Sequence, residues 1–461
     1  MRWTAPSPQP QDVSSYEAKN ASTAISAQQK SKNCAIEISV SSLLFFFSLW
    51  LYIFGTGATA EQQCANANTT LPPPRSYVRD GPLHEKLVAD TWKALSKFDA
   101  HDASGKYRPR YFEGWYYKLD LPGEGGTFVV IPGLYLRKED PHGFVMILDA
   151  THGADPPVCR LYKFPVEGVV GAADGDHDFV FRLDDRNVFT AHGFVLDLPA
   201  DDVNPAVVGS AEWVAPLPLL ATRWNPTIMG WFSWLPRGTM QCSHGVVSTD
   251  HAVAGGAVTI GNAHVVRLAG ARGYVEKDWG REFPESYAWI QANDFSRGDD
   301  EAAAVPGASF MVSVASIPVR PFERWWQFTG FLSFLRYPDE EGVFHTMRFA
   351  TYTGAKISYA YNITQHPNSN MPREHTVSIE MTSLRHRLSA TVTGHRDSAA
   401  TLWGPLPSNP SGGMHTYVRE MLNCPVHVVL TRRTDGMILF EGNARHGGFE
   451  IEGHDEKEAV A

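Results

Sequence analysis

Short runs of alternating or β-branched residues constrain the fold of this chain more than any other feature. Each run is bounded by Gly, Pro, Asp or Asn. They include TFVVIPGLYL (127–136), GFVMILDA (143–150), CRLYKFPV (159–166), DFVFRL (178–183), SFMVSVASIPV (309–319) and HTVSIEMTS (375–383). A period of two between turn residues is typical of strands. Because no strand–helix–strand rhythm accompanies them, the runs predict an antiparallel all-β protein.

The length of the strand-rich part predicts two domains. A single small barrel or sandwich needs far fewer than the 461 residues of this chain. We therefore expect two β-barrel domains, at 105–269 and 270–455. Gly261-Asn262 and Asp435-Gly436 are turn pairs suited to hairpins within them. No repeat of fixed short period is visible, which disfavours a propeller.

The N-terminal segment has a different composition. Residues 1–37 are polar and rich in Ser, Ala and Gln, which predicts disorder. Residues 38–60, ISVSSLLFFFSLWLYIFGTGATA, carry no charge and end in a small-x-small tripeptide. They predict either a cleaved signal peptide or a retained signal-anchor helix, with the folded body membrane-associated or in an ER-derived or organellar lumen. Residues 61–104 are predicted to be a linker with one short helix at 82–98.

Net charge, cysteines and tryptophans limit the partners and the kinds of site expected for this chain. The formal net charge of -10 argues against nucleic acid. Five cysteines without a C-x-x-C motif predict neither a zinc site nor a disulfide scaffold, although a single Cys159–Cys242 or Cys242–Cys424 bridge stays open. The 13 tryptophans exceed what a plain core needs, so a pocket for a flat or apolar ligand is expected.

The first candidate motif is YFEGWYYKLDLP at 111–122. In a strand, Phe112, Gly114 and Tyr116 would lie on one face, with Glu113 and Trp115 on the other. Glu113 beside aromatic rings would have a raised pKa and could donate a proton. The alternative is a strand-edge carboxylate paired with Lys118 or an arginine.

The second motif is NPTIMGWFSWLPRGTMQCSHGVVSTDH at 225–251. Trp231 belongs to a predicted aromatic rim, and His244 and His251 are candidate acid–base groups. A lone histidine is more often a hydrogen-bonded structural residue, and that alternative applies to both. The spacing of Cys242 and His244 does not indicate a metal site.

The third motif, ARGYVEKDWGREFPESYAWIQANDF (271–295), holds the densest mixture of charged and aromatic residues. As a strand, YVEKDWG would place Glu276 and Asp278 on one face, about 7 Å apart, and Trp279 on the other. Such carboxylates can share a proton or divide acid and base roles. After Pro284 the alternation resumes, so Trp289, Gln291 and Asn293 would share a face. The alternative is a salt-bridged structural hairpin.

Together these motifs resemble the tocopherol cyclase family. The matching pieces are FEGWYYK (112–118), MGWFSWLP (229–236), HGVVS (244–248) and YVEKDWGREFPESYAWIQANDF (274–295), with a weaker echo in LFEGNARHGGFEIEG (439–453). The resemblance implies two lipocalin-like barrels, an architecture similar to carotenoid hydratase-type proteins. It also implies closure of a chromanol ring on a prenylated hydroquinone without cofactor or metal.

The sequence departs from the family at two places. The family commonly has Asn where this chain has Asp278, which makes Glu276 the better catalytic candidate. It also has a Gly-rich turn where this chain has Arg281-Glu282. Family members of photosynthetic organisms carry plastid transit peptides, so the resemblance keeps a plastid location open beside the ER-type reading of residues 38–60.

These observations assign roles to individual residues. Glu276 is expected to be the acid, with Glu113 second and Asp278 third. The expected substrate-binding residues are Trp115, Tyr116, Trp231, His244, Trp279, Trp289, Gln291 and Asn293. The substrate is expected to be a lipophilic prenylquinol. Three alternatives remain: a non-catalytic isoprenoid carrier, a hydratase acting on an isoprenoid alkene, and a structural β-rich protein.

Overall fold

A computed structural model describes residues 111–453 except 138–139, 152–156, 175–177, 220–224, 226, 235–239, 299–303, 319–326, 365–372 and 406–413. The described chain consists of two antiparallel sheets. The strands of the first sheet are β1 Tyr111–Asp120, β2 Gly126–Leu136, β3 His142–Thr151, β4 Val158–Phe164, β5 Val169–Asp174, β6 Asp178–Leu183, β7 Asn187–Thr190, β8 Gly193–Leu198, β9 Val207–Leu217, β10 Cys242–Ile260, β11 His264–Arg267 and β12 Arg272–Gly280.

The second sheet is formed by the C-terminal half of the chain. Its strands are β13 Tyr287–Ala292, β14 Ser309–Pro318, β15 Gln327–Pro338, β16 Phe344–Ala350, β17 Lys356–Thr364, β18 Glu374–Thr382, β19 His386–His395, β20 Ala400–Gly404, β21 His415–Arg432 and β22 Ile438–Glu452. Helical structure in the described ranges is limited to the 3-10 turns Val166–Gly168, Gly230–Trp234, Thr351–Thr353 and Arg396–Ser398.

Both sheets have the same topology. In each, the first strand pairs with the last: β1 with β12, and β13 with β22. The sheet orders end at consecutive strands, β4 and β5 in the first and β16 and β17 in the second. Tyr162 of β4 and Val169 of β5 nevertheless pack into one hydrophobic core, as do Phe349 of β16 and Ile357 of β17. Each sheet therefore curls around its own interior as a barrel, and the predicted all-β two-barrel fold class is confirmed.

A third hydrophobic cluster lies between the two barrels. It joins Phe112 and Tyr274 of the first sheet to Tyr287, Trp289 and Met311 of the second. Strands β2, β3 and β13 are buried along their whole length, because one face packs on a barrel interior and the other on this seam. Strand β17, remote from the seam, alternates exposed and half-buried residues instead. The seam is thus the one region in which both sheets bury their outer faces among the described residues.

Two sequence predictions about the barrels need correction. The first barrel extends past the expected boundary at residue 269, because β12 pairs with both β1 and β10 of the first sheet. The boundary lies in the segment between Gly280 and Tyr287. The open disulfide alternatives are also excluded, since Cys159, Cys242 and Cys424 are all free thiols.

The predicted turns follow the expected chemistry. Gly261, between β10 and β11, and Gly436, between β21 and β22, both adopt positive φ angles, of 62° and 73°. Glycine reaches this region without the steric cost that a Cβ imposes. The predicted hydrophobic segment 38–60 and the helix at 82–98 lie outside the described residues. In the described ranges, no helix has the length and apolarity needed to cross a bilayer.

Candidate active site

The seam between the barrels contains a cavity of about 180 Å³. Its lining is mostly apolar and comes from both sheets, including Phe112, Ile131, Phe144, Met229, Phe232, Phe283, Trp289, Ile317, Phe331, Leu402 and Val418. A few polar side chains interrupt this lining: Tyr116, His244, Glu276, Asp278, Tyr287 and Glu450. An apolar cavity with a few convergent polar groups is the usual form of a small-molecule site.

Strand β12 supplies the carboxylates at one end of the cavity. Its side chains alternate as the sequence predicts: Tyr274 lies in the seam cluster, whereas Val275 packs in the core of the first barrel. Glu276 and Asp278 both reach the cavity. This end of the cavity is therefore set by the period of two along a single strand.

His244 of β10 lies directly beside these carboxylates. It is paired with Asp278 in the register of β10 and β12, and its Nδ1 lies 2.9 Å from Asp278 Oδ1. Its Nε2 lies 3.4 Å from Glu276 Oε2, at ion-pair distance but without hydrogen-bond geometry. Burial disfavours the imidazolium, but the charges of Glu276 and Asp278 outweigh it and raise the pKa of His244 well above its ordinary value. At neutral pH, His244 is therefore a cation held by two carboxylates.

Glu276 is surrounded by hydrogen-bond donors. Its Oε2 accepts from the Tyr274 hydroxyl at 2.6 Å and from the Trp289 indole N–H at 3.3 Å. Tyr274 is fully buried, and burial followed by the charge of Glu276 raises the pKa of its hydroxyl, so Tyr274 stays a donor. Glu276 therefore faces the cavity as a buried acceptor.

The second barrel contributes two more carboxyl groups, the buried Glu420 and the half-buried Glu450. Glu420 of β21 and Glu450 of β22 are directly paired across the two strands. The Tyr116 hydroxyl donates to Glu420, and the Tyr287 hydroxyl donates to Glu450 at 2.8 Å. Opposite residues of an antiparallel pair have Cβ atoms about 4.5–5.5 Å apart, so the two carboxyl groups are close neighbours.

Burial dominates the protonation of both groups. Burial raises the pKa of Glu420 to about 8, and Tyr116 and Lys118 only partly offset it. Burial and then the charge of Glu420 raise the pKa of Glu450 well above its ordinary value, and the hydrogen bond from Tyr287 only partly opposes this. The pair therefore retains protons at neutral pH, where an exposed glutamate is ionised.

The raised pKa of Glu420 predicts a pH-dependent stability. The unfolded chain releases this proton near the ordinary glutamate pKa of 4.5, whereas the folded protein retains it to about 8, so stability falls as pH rises through that window. Glu420→Gln keeps an acceptor for Tyr116 and removes the ionisation. We expect the loss of unfolding free energy between pH 5 and pH 8 to shrink by roughly 3 kcal/mol.

Urea unfolding of wild type and variant at several pH values measures this effect. Glu441→Gln, an exposed carboxylate on β22, is a suitable control that should leave the pH profile unchanged. A Glu420→Gln profile that overlays the wild-type profile would show that Glu420 ionises normally in the folded protein.

Trp289 is a neighbour of both sets of polar residues at the cavity, the one that contains Glu276 and the one that contains Glu450. Its N–H donates to Glu276, its ring packs edge-on against Tyr116 at a centroid distance of 5.4 Å, and it pairs with Glu450 in the register of β13 and β22. Gly448 makes room for the indole, since a Cβ at this position would lie 2.8 Å from the ring. The glycine in the C-terminal motif thus serves the site by its lack of a side chain.

One family of known proteins matches the part of the chain that supplies this polar group. The sequence model of the family described as tocopherol cyclase-like matches residues 214–336. The chain is similar to this family over these residues. The matched stretch includes His244, Glu276, Asp278 and Trp289, and it does not reach the FEGWYYK motif (112–118) that also carries the resemblance.

Solved structures give further, more distant likenesses to this chain. CghA is 12% identical, with 76% of this chain and 91% of that chain covered and a TM-score of 0.44. A candidate AttH from Nitrosomonas europaea is 14% identical, with 75% and 93% covered and a TM-score of 0.37. No curated protein sequence matches the chain.

Glu113 lies on the opposite face of β1 from the cavity. It forms an ion pair with Lys277, and both side chains are fully buried in the first barrel. The Tyr111 hydroxyl also donates to Glu113 at 2.6 Å. Glu113 is therefore a carboxylate paired with a lysine, as the alternative interpretation of this motif predicts. Its partner is Lys277 of β12 and not Lys118.

Two predicted cavity tryptophans also belong to the first barrel. Trp115 is among the cavity-lining residues but packs in the core of the first barrel, stacked on Phe179 at 5.5 Å with Lys277 Nζ 4.1 Å above its ring. Trp279 shares the face of Lys277, whose Nζ lies 5.6 Å from its ring centroid, and it does not line the cavity. Alternation along β12 explains this, because residues at odd positions point into the barrel.

The remaining predicted residues lie at varying distances from the cavity. Trp231 is exposed and stacks on Phe232, which does line the cavity. Gln291 and Asn293 are buried in the seam beyond the cavity, where Gln291 donates to Asn293 and Asn293 donates to Asp250 and the Gly273 carbonyl. They align the barrels rather than line the cavity.

His251 has a structural environment. It stacks on Trp213 at 4.4 Å, its Nδ1 lies 3.0 Å from the Ser248 hydroxyl, and burial lowers its pKa to about 3. It is therefore a neutral core histidine, which agrees with the structural alternative for this residue.

Sequence reasoning missed the carboxyl groups of the second barrel. Glu450 lies in the LFEGNARHGGFEIEG motif, where alternation with Phe449 and Ile451 would have placed it on the face opposite the core. Glu420 lies in HTYVREMLNCP, and nothing in that run distinguishes it from a surface glutamate. Their proximity depends on the pairing of β21 with β22, which a single sequence does not reveal.

His244, Glu276 and Asp278 also form the one group in the described chain with donor atoms close enough for a metal ion, within 4.8 Å of one another. Their mutual ion pairing provides a full account of the arrangement without an ion. The donor set would otherwise suit a divalent cation with mixed nitrogen and oxygen ligands.

Proposed function

We propose that this protein is a cofactor-independent cyclase that closes a chromanol ring on a prenylated benzoquinol. The phenol oxygen adds to the prenyl double bond after that bond accepts a proton. The apolar seam cavity would hold the prenyl tail, and the polar end formed by β10 and β12 would hold the quinol.

The observation that carries the proposal is the group of His244, Glu276 and Asp278 on the wall of a cavity otherwise lined by aromatic and aliphatic side chains. A hydroquinone needs polar partners at its ring, and an isoprenoid tail needs a dry apolar channel. The tocopherol cyclase-like match over residues 214–336 includes this polar group and supports the same reaction class.

The chemistry balances without an oxidant. One C=C π bond and one phenolic O–H bond break, and one C–H bond and one C–O bond form, so the product is an isomer of the substrate. Glu276, which accepts two hydrogen bonds already, accepts the phenolic proton. The role expected from sequence thus changes from acid to base, while the residue stays the same.

The aromatic lining has a specific task in this reaction. Protonation of the double bond leaves a tertiary cation, which water would capture as an alcohol. Trp289 and Tyr116 offer ring faces that stabilise a cation by about 0.5–2 kcal/mol each without reacting with it. Holding the phenol oxygen against the cation also removes most of the entropic barrier to ring closure.

We also propose that the substrate reaches the cavity from a membrane to which residues 38–60 direct the chain. The supporting observations are the uncharged run at these positions and the apolar character of the cavity.

The product distinguishes this function from its two alternatives. Full-length protein is incubated, under oxygen-free conditions that keep the quinol reduced, with prenylated hydroquinones that differ in ring methylation and tail saturation. We expect a product of unchanged mass that has lost one phenolic hydroxyl. A product heavier by one water would indicate a hydratase, and bound but unchanged quinol would indicate a carrier.

A further inference from the structure

Glu450 is a carboxyl group on the cavity wall, and its role in the reaction is distinct from those of Glu276 and Asp278. It lines the cavity and is held by the Tyr287 hydroxyl at 2.8 Å. Glu276 accepts hydrogen bonds from Tyr274 and Trp289, and Asp278 is engaged by His244. Ring closure still requires a proton at the alkene carbon, and a neutral carboxyl group on this lining can supply it.

The groups that face Glu450 keep it neutral. After burial, Glu420 of β21, Glu452 of β22 and Glu276 of β12 raise the pKa of Glu450, and the hydrogen bond from Tyr287 of β13 only partly opposes them. Glu452, its neighbour on the same strand, is neutralised by Arg396 at 3.0 Å. Glu450 therefore sits beside acids and a phenol, an environment in which a carboxyl group holds its proton.

Glu450 and Glu276 are both neighbours of Trp289. Trp289 pairs with Glu450 across β13 and β22, and its N–H donates to Glu276. An alkene protonated by Glu450 would form its cation next to this ring, with the phenol oxygen bound at Glu276. The arrangement places an acid and a base beside one aromatic residue, as the reaction requires.

We propose that Glu450, held by Tyr287 and set beside Glu420, is the proton donor to the prenyl double bond. This inference rests on the proposed cyclase function. The Glu450 O–H bond breaks and a C–H bond forms at the alkene, while the phenolic proton passes to Glu276. Both carboxyl groups return to their starting states by exchange with solvent after the product leaves.

The test compares Glu450→Gln with Glu441→Gln, an exposed glutamate on the same strand that lies outside the cavity lining. We expect Glu450→Gln to lower the turnover of a prenylated hydroquinone by about 10²-fold or more, with an unchanged dissociation constant measured by quenching of tryptophan fluorescence. Glu441→Gln should keep turnover near the wild-type value. Wild-type turnover from Glu450→Gln would overturn the proposal.

A second measurement does not depend on the folding of Glu450→Gln. Turnover of the wild-type protein should fall as pH rises through the pKa of the donor. Glu420→Gln removes a neighbour that becomes negatively charged above about pH 8. It should move this fall to lower pH, an effect that a purely structural Glu420 would not produce. An unshifted pH profile would overturn the assignment of Glu450.

Failure of the inference is distinguishable from failure of the proposed function. A wild-type protein that cyclises the quinol, together with an unaffected Glu450→Gln, contradicts only the assignment of the donor. A wild-type protein that binds the quinol and yields no cyclised product contradicts the cyclase function and the donor with it. The infrared band of a protonated carboxyl group at neutral pH, lost in Glu450→Gln, reports the neutral acid without any substrate.

Discussion

Glu276→Gln is expected to reduce turnover of a prenylated hydroquinone by about 10²–10⁴-fold, the range of general acid–base assistance. The amide keeps an oxygen that can accept from Tyr274 and Trp289, so the local packing is preserved. It no longer accepts the phenolic proton. Because the apolar cavity is unchanged, we expect the dissociation constant for the quinol to change little, and single-turnover kinetics should assign the loss to the chemical step.

The control for this variant is Glu285→Gln. Glu285 lies in the segment between β12 and β13 and is exposed, so its loss should leave turnover unaltered. Asp278→Asn is informative as well, because it removes one of the two charges that raise the pKa of His244. Wild-type turnover in Glu276→Gln would remove Glu276 from the mechanism and leave the β12 end of the cavity with a binding role only.

Breaking the ion pair between Glu113 and Lys277 is expected to be the most destabilising change among those considered. Both side chains are fully buried. Glu113→Gln or Lys277→Met alone leaves one charge buried without its partner, which typically costs about 3–5 kcal/mol of unfolding free energy. Urea unfolding at neutral pH measures the loss as a lower midpoint, with the slope of the transition unchanged.

The double variant Glu113→Gln/Lys277→Met should recover most of this stability. It contains no uncompensated charge, its glutamine still accepts from Tyr111, and its methionine retains contact with the Trp115 ring. We also expect it to cyclise the quinol. A double variant as unstable as the single variants would contradict the ion-pair account, and a stable but inactive one would restore Glu113 as a candidate acid.

The local alternation of side chains could be predicted from the sequence, whereas their long-range partners could not. The period of two placed Glu276 and Asp278 together on one face of β12 and Lys277 on the other, and the structure agrees because the strand is regular there. The same reasoning applied to YAWIQANDF placed Trp289 in the seam. Register within one strand follows from covalent geometry and needs no tertiary information.

The contacts that the sequence did not predict are those set by strand pairing. Glu113 has Lys277 as its partner because β1 lies beside β12, two strands separated by most of the first barrel. Glu450 reaches the cavity because β22, the last strand of the chain, returns to pair with β13. These neighbours are set by barrel closure, and the first-beside-last topology of both sheets is a property of the fold rather than of any motif.

The domain boundary was misplaced for a related reason. A turn-rich stretch near residue 270 looks like a linker, yet β12 follows it and completes the first sheet. Residues 271–295 thus contain β12, the last strand of the first barrel, followed by β13, the first strand of the second. This position explains why one short stretch supplies both walls of the seam.

Cyclisation in D₂O tests the central claim most directly. Full-length protein is incubated with a prenylated hydroquinone in oxygen-free D₂O, and the product is examined by mass spectrometry after back-exchange in H₂O. A cyclised isomer that carries one non-exchangeable deuterium, on the carbon that accepts the proton, is the expected result. Recovery of quinol without carbon-bound deuterium and without ring closure would contradict the proposal that this cavity protonates a prenyl double bond.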